Sequence, residues 1–420
     1  MSSFLQICGV ICEFNPFHNG HRLLLERIRA SGGAVVAVMS GAFVQRGEPA
    51  VFDASTRARC ALQNGADLVL ELPAVWACAN AEAFARGGVA ILNGLGCVDA
   101  LCYGSEHPDA AAHRALAEQL RTPAFADALH RALQSGVSFA AAREAAAAAL
   151  APALAPLLRC PNDILGVEYH KALLELHSAI APRPFARVGA AHDSSDGADI
   201  RSLCDAAPDE RAEPGETIRA ASFLRAQLRA NGLGCAKFRA GVPANTLPLL
   251  RQALAQQGGC AAMDALTRAL LARLRTMTPT EAARLPDVSE GLEHRLLRAA
   301  RSADSLHALY AACKTRRYAH ARIRRIALAA LLGITAADRA GLPPYARVLG
   351  LNRRGREILR RCRTSASLPI VMRPAELRTL GPDAQRVFAL DCTAADLWAL
   401  ACPRILPAGR ACTTPVVYIE

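Results

Sequence analysis

At 420 residues the chain is too long for one ordinary core, so two or three domains are expected. A hydrophobic content of 52% against 20% charged residues excludes a disordered chain, and no run is long and apolar enough to span a membrane. Lys+Arg 49 against Asp+Glu 37 gives +12, with only Lys171, Lys237 and Lys314 as lysines, so the positive charge is nearly all arginine. An Ala/Arg-biased codon usage accounts for part of that excess, but not for its placement. Residues 1–110 hold seven arginines and ten acids, about −3, which leaves about +15 on the rest. An acidic head and a basic body point to a polyanion partner for the body. The 15 cysteines include no C-x-x-C pair, which removes support for a zinc ribbon or a thioredoxin-type motif. With no secretory signal, reduced thiols and a cytoplasmic location are expected.

In chain order, "FLQICGVIC" (4–12) reads as a buried strand, followed by a helix over about 19–31. "AVVAVM" (34–39) is a second strand leading into the loop "SGAFVQRGEPAVF", and a helix starts near Asp53, a plausible N-cap. "DLVLEL" (67–72) is a third strand, a helix covers about 78–94, and "DALCYG" (99–104) is a fourth strand. This alternation means a doubly wound parallel sheet, in which ligands bind beyond the carboxyl ends of the strands. Residues 109–180 read as Ala-rich helices and "FARVGAAH" (185–192) as a strand and turn. The polar, acidic stretch 193–216 reads as a mobile loop, 217–365 as helices, and 366–420 as a small mixed region with a helix near 382–400. The expected domains are therefore 1–192, a linking loop 193–216, 217–365 and 366–420.

The chemistry concentrates in "FNPFHNGHRLLLERI". Pro16 stiffens the exit from the first strand, and Asn19-Gly20 turn the chain into a helix that starts near Gly20 or His21. The helix's free N–H groups then aim at the strand mouth with His18 and His21 beside them. Two imidazoles there suit the charge that develops on a triphosphate as its α–β bond breaks. Gly20 permits close approach of phosphates where a Cβ would intrude. A turn with incidental surface histidines is the bland alternative.

H-x-G-H after the first strand of such a sheet resembles the signature of the nucleotidyltransferase superfamily, kin to the HIGH motif of class I aminoacyl-tRNA synthetases. "GVICEFNPFHNGH", "MSGAFVQRGEPA", "DLVLELP", "YGSE", "PNDILGVEYHKAL", "RVGAAH", "KTRRYAHARIRRIAL" and "PYARVLGLNRRGREIL" together resemble the bacterial tRNA(Met) cytidine acetate ligase family. The resemblance implies an N-terminal HUP-like nucleotidyltransferase domain of α/β class, followed by a mostly helical, basic RNA-binding region. It implies activation of acetate by ATP to acetyl-adenylate and acetyl transfer to N4 of the wobble cytidine of elongator tRNA(Met). It further implies catalytic roles for His18 and His21. The implied ATP site is Ile11, Cys12, Glu13, Phe14, Asn15, Pro16, Phe17, His18, Asn19, Gly20, His21, Arg22, Leu23 and Leu24, with Gly104, Asn162 and Arg187.

Several readings stay open on the residues. Asn162 serves either a nucleotide edge or the cap of the following helix, Arg187 a phosphate or nothing in particular, and Glu13 the site or a structural ion pair. Ser40, Gln45 and Arg46 lie in a loop that can cover an acyl pocket, and His192 is a contact or a turn residue. Superfamily members often carry a hydroxyl-rich segment ending in Ile-Arg. Here "PGETIRAAS" (214–222) keeps Ile218-Arg219 but has Gly215 and Glu216 where hydroxyls are expected, so Arg219 is expected to contact phosphate and the hydroxyl role is open. Magnesium is compatible with ATP, but the sequence shows no dedicated metal cage.

Residues 314–325, "KTRRYAHARIRR", hold six basic side chains and no acid, and 347–363 hold seven with one acid, Glu357. On helices these would form stripes suited to an RNA backbone, with Lys314, Arg316, Arg317, Arg322, Arg324, Arg325, Arg353 and Arg354 as the expected contacts. Two other function classes remain: a nucleotidyltransferase that adenylylates a small phosphorylated metabolite, and a non-catalytic RNA-binding protein on a degenerate nucleotide fold. Oligomeric state is not readable from the sequence.

Overall fold

The computed structural model describes residues 6–188, 198–199, 216–289 and 291–420. In chain order its main elements are β1 (Ile7–Cys12), α1 (Asn19–Ala30), β2 (Ala34–Ser40), α2 (Ala54–Gln63), β3 (Leu68–Leu72), α3 (Ala81–Gly94), β4 (Ala100–Ser105), α4 (Pro161–Glu175) and β5 (Ala181–Ala186). They continue with α5 (Ala221–Asn231), α6 (His320–Leu332), β6 (Ala346–Leu351), α7 (Arg353–Ser365), β7 (Ile370–Val371), α8 (Pro382–Ala401) and β8 (Val417–Tyr418). Most of the expected loop 193–216, and His192, lie outside the described residues.

The sheet runs β7–β6–β3–β2–β1–β4–β5, with β8 also pairing β6. The five strands from β3 through β5 are mutually parallel, in the order 3-2-1-4-5. Every residue of β1 and β2 is buried, as expected of a sheet covered on both faces. Successive side chains feed opposite cores: Ile7 and Ile11 join one apolar cluster, while Cys8, Val10 and Cys12 join the other. Gly9 lies where α3 crosses β1, and a Cβ there would sit 2.5 Å from Leu92. The chain order reverses between β1 and β4, which puts the ligand crevice at the carboxyl ends of those strands.

Two expectations are corrected. The fifth strand is Ala181–Ala186 rather than 185–192, carrying Pro182 and Pro184, which an edge strand tolerates because its outer N–H groups need no ladder partner. The region 217–365 is not helical throughout. "ARVLGL" returns to the sheet as β6, antiparallel to β3, with Arg347 opposite Glu71 and Leu351 opposite Leu68. The long helix α8 also reaches the head: Trp398 Nε1 donates to the Ala50 carbonyl at 2.7 Å and Asp391 accepts from the Ala74 N–H.

At the mouth, the backbone is tied by one side chain. Arg57 on α2 is 1% exposed, and its guanidinium donates to the carbonyls of Glu13 (2.7 Å), Ser40 (2.9 Å), Phe52 (3.0 Å) and Gly41. Burial pulls its pKa down to about 10, so the group stays charged at neutral pH. Arg57→Leu leaves four buried carbonyls without their donor, and the expected loss is about 3–5 kcal/mol. Urea unfolding of the variant beside the wild type measures it.

Candidate active site

His18 is the N-cap of α1, in extended backbone at φ −140° and ψ 170°, so the helix begins at Asn19, at the start of the expected 19–31 span. Its Nδ1 accepts from the Gly20 N–H at 3.1 Å, while His21 Nδ1 accepts from the His18 N–H at 3.3 Å. The two rings stack with centroids 3.6 Å apart. This is a capping box built from imidazoles instead of hydroxyl and carboxylate. Burial lowers both pKa values, His18 to about 3 with help from Arg187 and Arg225, and His21 well below its usual value with help from His18 and Arg187. Both rings are therefore neutral at pH 7. Because each Nδ1 accepts a backbone N–H, each proton sits on Nε2, which makes the pair donors toward whatever occupies the mouth.

A cavity of about 200 Å³ opens at this end of α1. Ile11, Cys12, Phe14, His18, Gly20, His21, Leu23, Leu24, Gly104, Asn162, Arg187 and Arg219 line it, so most of the expected nucleotide residues meet there. Tyr103, Leu165, Tyr169 and Phe185 add an apolar wall of the kind a purine face occupies. A Cβ on Gly20 would lie 3.1 Å from His18 Cε1, and one on Gly104 3.1 Å from Arg187 Cγ. Either addition presses on a residue of the site.

The remaining residues of the 11–24 stretch do other work. Glu13 and Asn15 face an adjoining cavity of about 220 Å³ together with Gln45, Arg46, Phe84, Ser222 and Arg225. Asn19 is fully buried and braces the turn: its N–H reaches the Gly241 carbonyl and its Nδ2 the carbonyls of Thr217 and Ala240. Arg22 forks onto Glu216, with Nη1 3.1 Å from Oε1. Pro16 and Phe17 line neither cavity. Ser40 is buried at the end of β2 and also lines neither, whereas Gln45 and Arg46 do reach the second cavity.

The Arg22–Glu216 pair explains the departure in "PGETIR". Glu216 is 6% exposed and neutralises Arg22, fixing the Thr217-Ile218 strand against α1 so that Ile218 and Arg219 enter the nucleotide cavity. A hydroxyl in that place would leave the half-buried guanidinium of Arg22 with only Glu26, 3.4 Å from its Nε, as a counter-charge.

Asn162 is not the cap of α4, which is Cys160; it lies in the first turn and its Nδ2 donates to Glu106 Oε1 at 2.6 Å. Behind it, Asp163 is fully buried and accepts from Ser105 Oγ (2.6 Å), the N–H groups of Glu106 and His107, and His107 Nδ1 (2.6 Å). Among the described residues, His107, Cys160 and Asp163 are the one cluster with metal-ligand proximity. The Asp163 oxygens are already occupied by these hydrogen bonds, so the cluster reads as a brace for Asn162. No such cluster lines the nucleotide cavity. Tyr103, also on the wall, is held by His113 Nδ1 at 3.0 Å and His170 Nε2 at 3.1 Å. Sequence reasoning missed His113, His170 and Arg225, which carry no local pattern; Tyr103 and Glu106 were within reach, as the first and last letters of "YGSE".

The basic runs separate. Lys314, Arg316, Arg317 and Tyr318 precede α6 rather than ride on it, so the expected helical stripe does not form across them. Arg322 donates to the Asp287 carbonyl, Arg324 pairs with Glu48 at 3.0 Å, and Arg325 lies 4.0 Å from Asp287. Through Glu48, and through Gly47 packed on the Arg324 backbone, α6 backs the loop that carries Gln45 and Arg46. Arg317, Arg322 and Arg325 line a cleft of about 670 Å³ with Arg143 and Lys171. Arg353 and Arg354 are exposed at the start of α7, beside Asp67 at the amino end of β3 and so at the far end of the sheet.

A helix-capping histidine pair at the switch point of a 3-2-1-4-5 sheet defines a nucleotidyltransferase of the H-x-G-H class, and residues 5–409 match the family model "HIGH Nucleotidyl Transferase". A tRNA(Met) cytidine acetate ligase of Alkaliphilus metalliredigens is 35% identical over 94% of each chain, and one of Acetivibrio thermocellus is 33% identical over 99% of this chain and 100% of its own. The crystal structure of Thermotoga maritima TmcAL bound with alpha-thio ATP superposes with a TM-score of 0.86 at 29% identity, covering 99% of this chain and 100% of that one. The chain belongs to the tRNA(Met) cytidine acetate ligase family.

The neutral histidines carry a pH signature. The unfolded chain binds the His18 proton near pH 6.5 and the folded one only near 3, so the unfolded state holds the extra proton between those values. Stability is full above pH 6.5 and declines as pH falls toward 3. From pH 7 to pH 5 the His18 share is about 1–2 kcal/mol. Urea midpoints at the two pH values should converge in His18→Gln relative to wild type.

Proposed function

We infer that the protein is an ATP-dependent ligase that activates acetate as acetyl-adenylate and passes the acetyl group to N4 of the wobble cytidine of elongator tRNA(Met). The observation that carries this reading is the stacked, neutral His18–His21 pair at the α1 N-terminus, set between two adjoining cavities. One cavity suits a nucleotide, with an apolar wall and Arg187 and Arg219 for phosphate oxygens; the other has room for the groups that react with it.

The first step joins a carboxylate oxygen of acetate to the α-phosphorus, and the bond from that phosphorus to the bridging oxygen of pyrophosphate breaks. The Nε2–H groups of His18 and His21, the α1 N-terminus and Arg187 meet the charge on the leaving pyrophosphate. In the second step N4 attacks the acetyl carbon and AMP departs. Acyl-adenylate formation supplies the leaving group that a conjugated amine requires. Magnesium, in this reading, comes with the triphosphate instead of with a protein cage.

The tRNA approaches over Lys314, Arg316, Arg317 and α6, because that segment backs the loop lining the second cavity, and the wobble base is splayed into the site. Arg353 and Arg354, at the far end of the sheet, would engage only a more distant part of the RNA. A cytoplasmic location goes with this reading, because a reducing compartment keeps free thiols such as those of the described cysteines reduced. No helix among the described residues is long and apolar enough to cross a membrane.

The test measures pyrophosphate release from ATP with and without acetate, and then label transfer from acetate to tRNA. The wild type should do both. His21→Ala should lose each by about 100-fold or more. Pyrophosphate release that depends on a phosphorylated metabolite, with no label in RNA, would replace this reading with adenylylation of that metabolite.

A further inference from the structure

The second cavity shares His18, His21, Asn162, Tyr169 and Arg187 with the nucleotide cavity, but Glu13 belongs to the second alone. Glu13 directly follows β1, so the carboxyl end of the central strand delivers it to the site. Among the described residues it is the only Asp or Glu on either cavity wall. Its Oε1 accepts from the Gln45 N–H at 2.8 Å, which fixes the carboxylate plane, and no described residue donates to Oε2.

Acylation of a cytidine amine must dispose of an N4 proton, and the other candidates in this cavity cannot take it. His18 and His21 spend Nδ1 on backbone N–H groups and carry their protons on Nε2. Cys12 donates its thiol to the Val38 carbonyl, and burial pushes both Cys12 and Tyr169 up. A carboxylate is also the side chain that accepts from the exocyclic amine of cytosine. Arg46 and Arg225, on the same wall, match the N3 and O2 acceptors of that base edge, and Phe84 offers a ring face.

We propose that Glu13 reads the amino group of the target cytidine and is the base that accepts its N4 proton during acetyl transfer. The assignment rests on the ligase reading above. In the step, N4 bonds to the acetyl carbon, the bond from that carbon to the AMP phosphate oxygen breaks, and the N4 proton moves to Glu13 Oε2, which returns it to water after AMP leaves. Burial raises the Glu13 pKa, while the Gln45 N–H, Arg225 and Arg46 hold it down. The result is a stronger base than an ordinary surface carboxylate.

The experiment compares wild type, Glu13→Gln and Glu13→Asp, all full chain, in two assays on one preparation: acetate-dependent exchange of labelled pyrophosphate into ATP, and single-turnover acetyl transfer to a tRNA(Met) transcript. Glu13→Gln keeps an oxygen for the Gln45 N–H, so the loop stays held. Its transfer-to-exchange ratio should fall about 100-fold or more. The rise of wild-type transfer with pH, as Glu13 ionises, should flatten in the variant. Glu13→Asp should recover part of the transfer. Equal loss in both assays, or an unchanged ratio, would overturn the assignment. If the wild type itself shows no acetate-dependent exchange or no label in tRNA, the ligase reading fails first and takes this one with it.

Discussion

A single buried cation holds the mouth of this molecule together. Strands of a parallel sheet end with carbonyl groups that have lost their ladder partners, and here those of Glu13, Ser40, Gly41 and Phe52 converge on one guanidinium. Five N–H donors on a planar fork can serve four carbonyls from three segments at once, which no ammonium could do. The position of Glu13 follows from its own carbonyl being pinned. The turn through Phe14, at a left-handed φ of 47°, then delivers His18 to the cap of α1. Asn15 continues the same scaffold, accepting from the Val51 N–H and from Arg225.

On this frame the site solves an electrostatic problem. A polyphosphate needs positive potential, yet histidines surrounded by arginines and removed from water cannot also be charged. In the proposed reading the site divides the labour: Arg187, Arg219 and Arg225 would carry the charge, and His18 and His21 would act as neutral donors whose protons are aimed by the backbone. Neutral donors cost little to bury, and they do not trap the leaving pyrophosphate as a full ion pair would.

The strand–helix rhythm and the histidine motif could be read from the sequence because both are local. β1 and β2 are unbroken apolar runs, and H-x-G-H with its cap occupies four consecutive residues. What escaped depends on partners far away in the chain. Glu216 looked like a defect in "PGETIR" until Arg22, 194 residues earlier, proved to be its counter-charge. "ARVLGL" sits among helices and becomes a strand only because β3 offers it an antiparallel edge. Asn162 could be suspected as a cap, but its use by Glu106 depends on the end of β4 meeting the start of α4. The arginine runs looked alike, and their separation to opposite ends of the sheet follows from the reversed direction of β6, which no periodicity announces.

The second half of the chain also contributes to the site. Arg219 and Arg225, on and just before α5, complete the walls of both cavities, and α6 presses on the loop that presents Gln45. Asn19 makes the connection rigid: one side chain at the α1 N-terminus is bonded to carbonyls of residues 217 and 240. The head does not complete both cavity walls by itself, because Arg219, Arg225 and the support of the Gln45 loop arrive from beyond residue 216. An RNA held on α6 would therefore act through Arg324 and Glu48 on the loop that lines the second cavity, and recognition of the polyanion and access to that cavity would share one piece of structure.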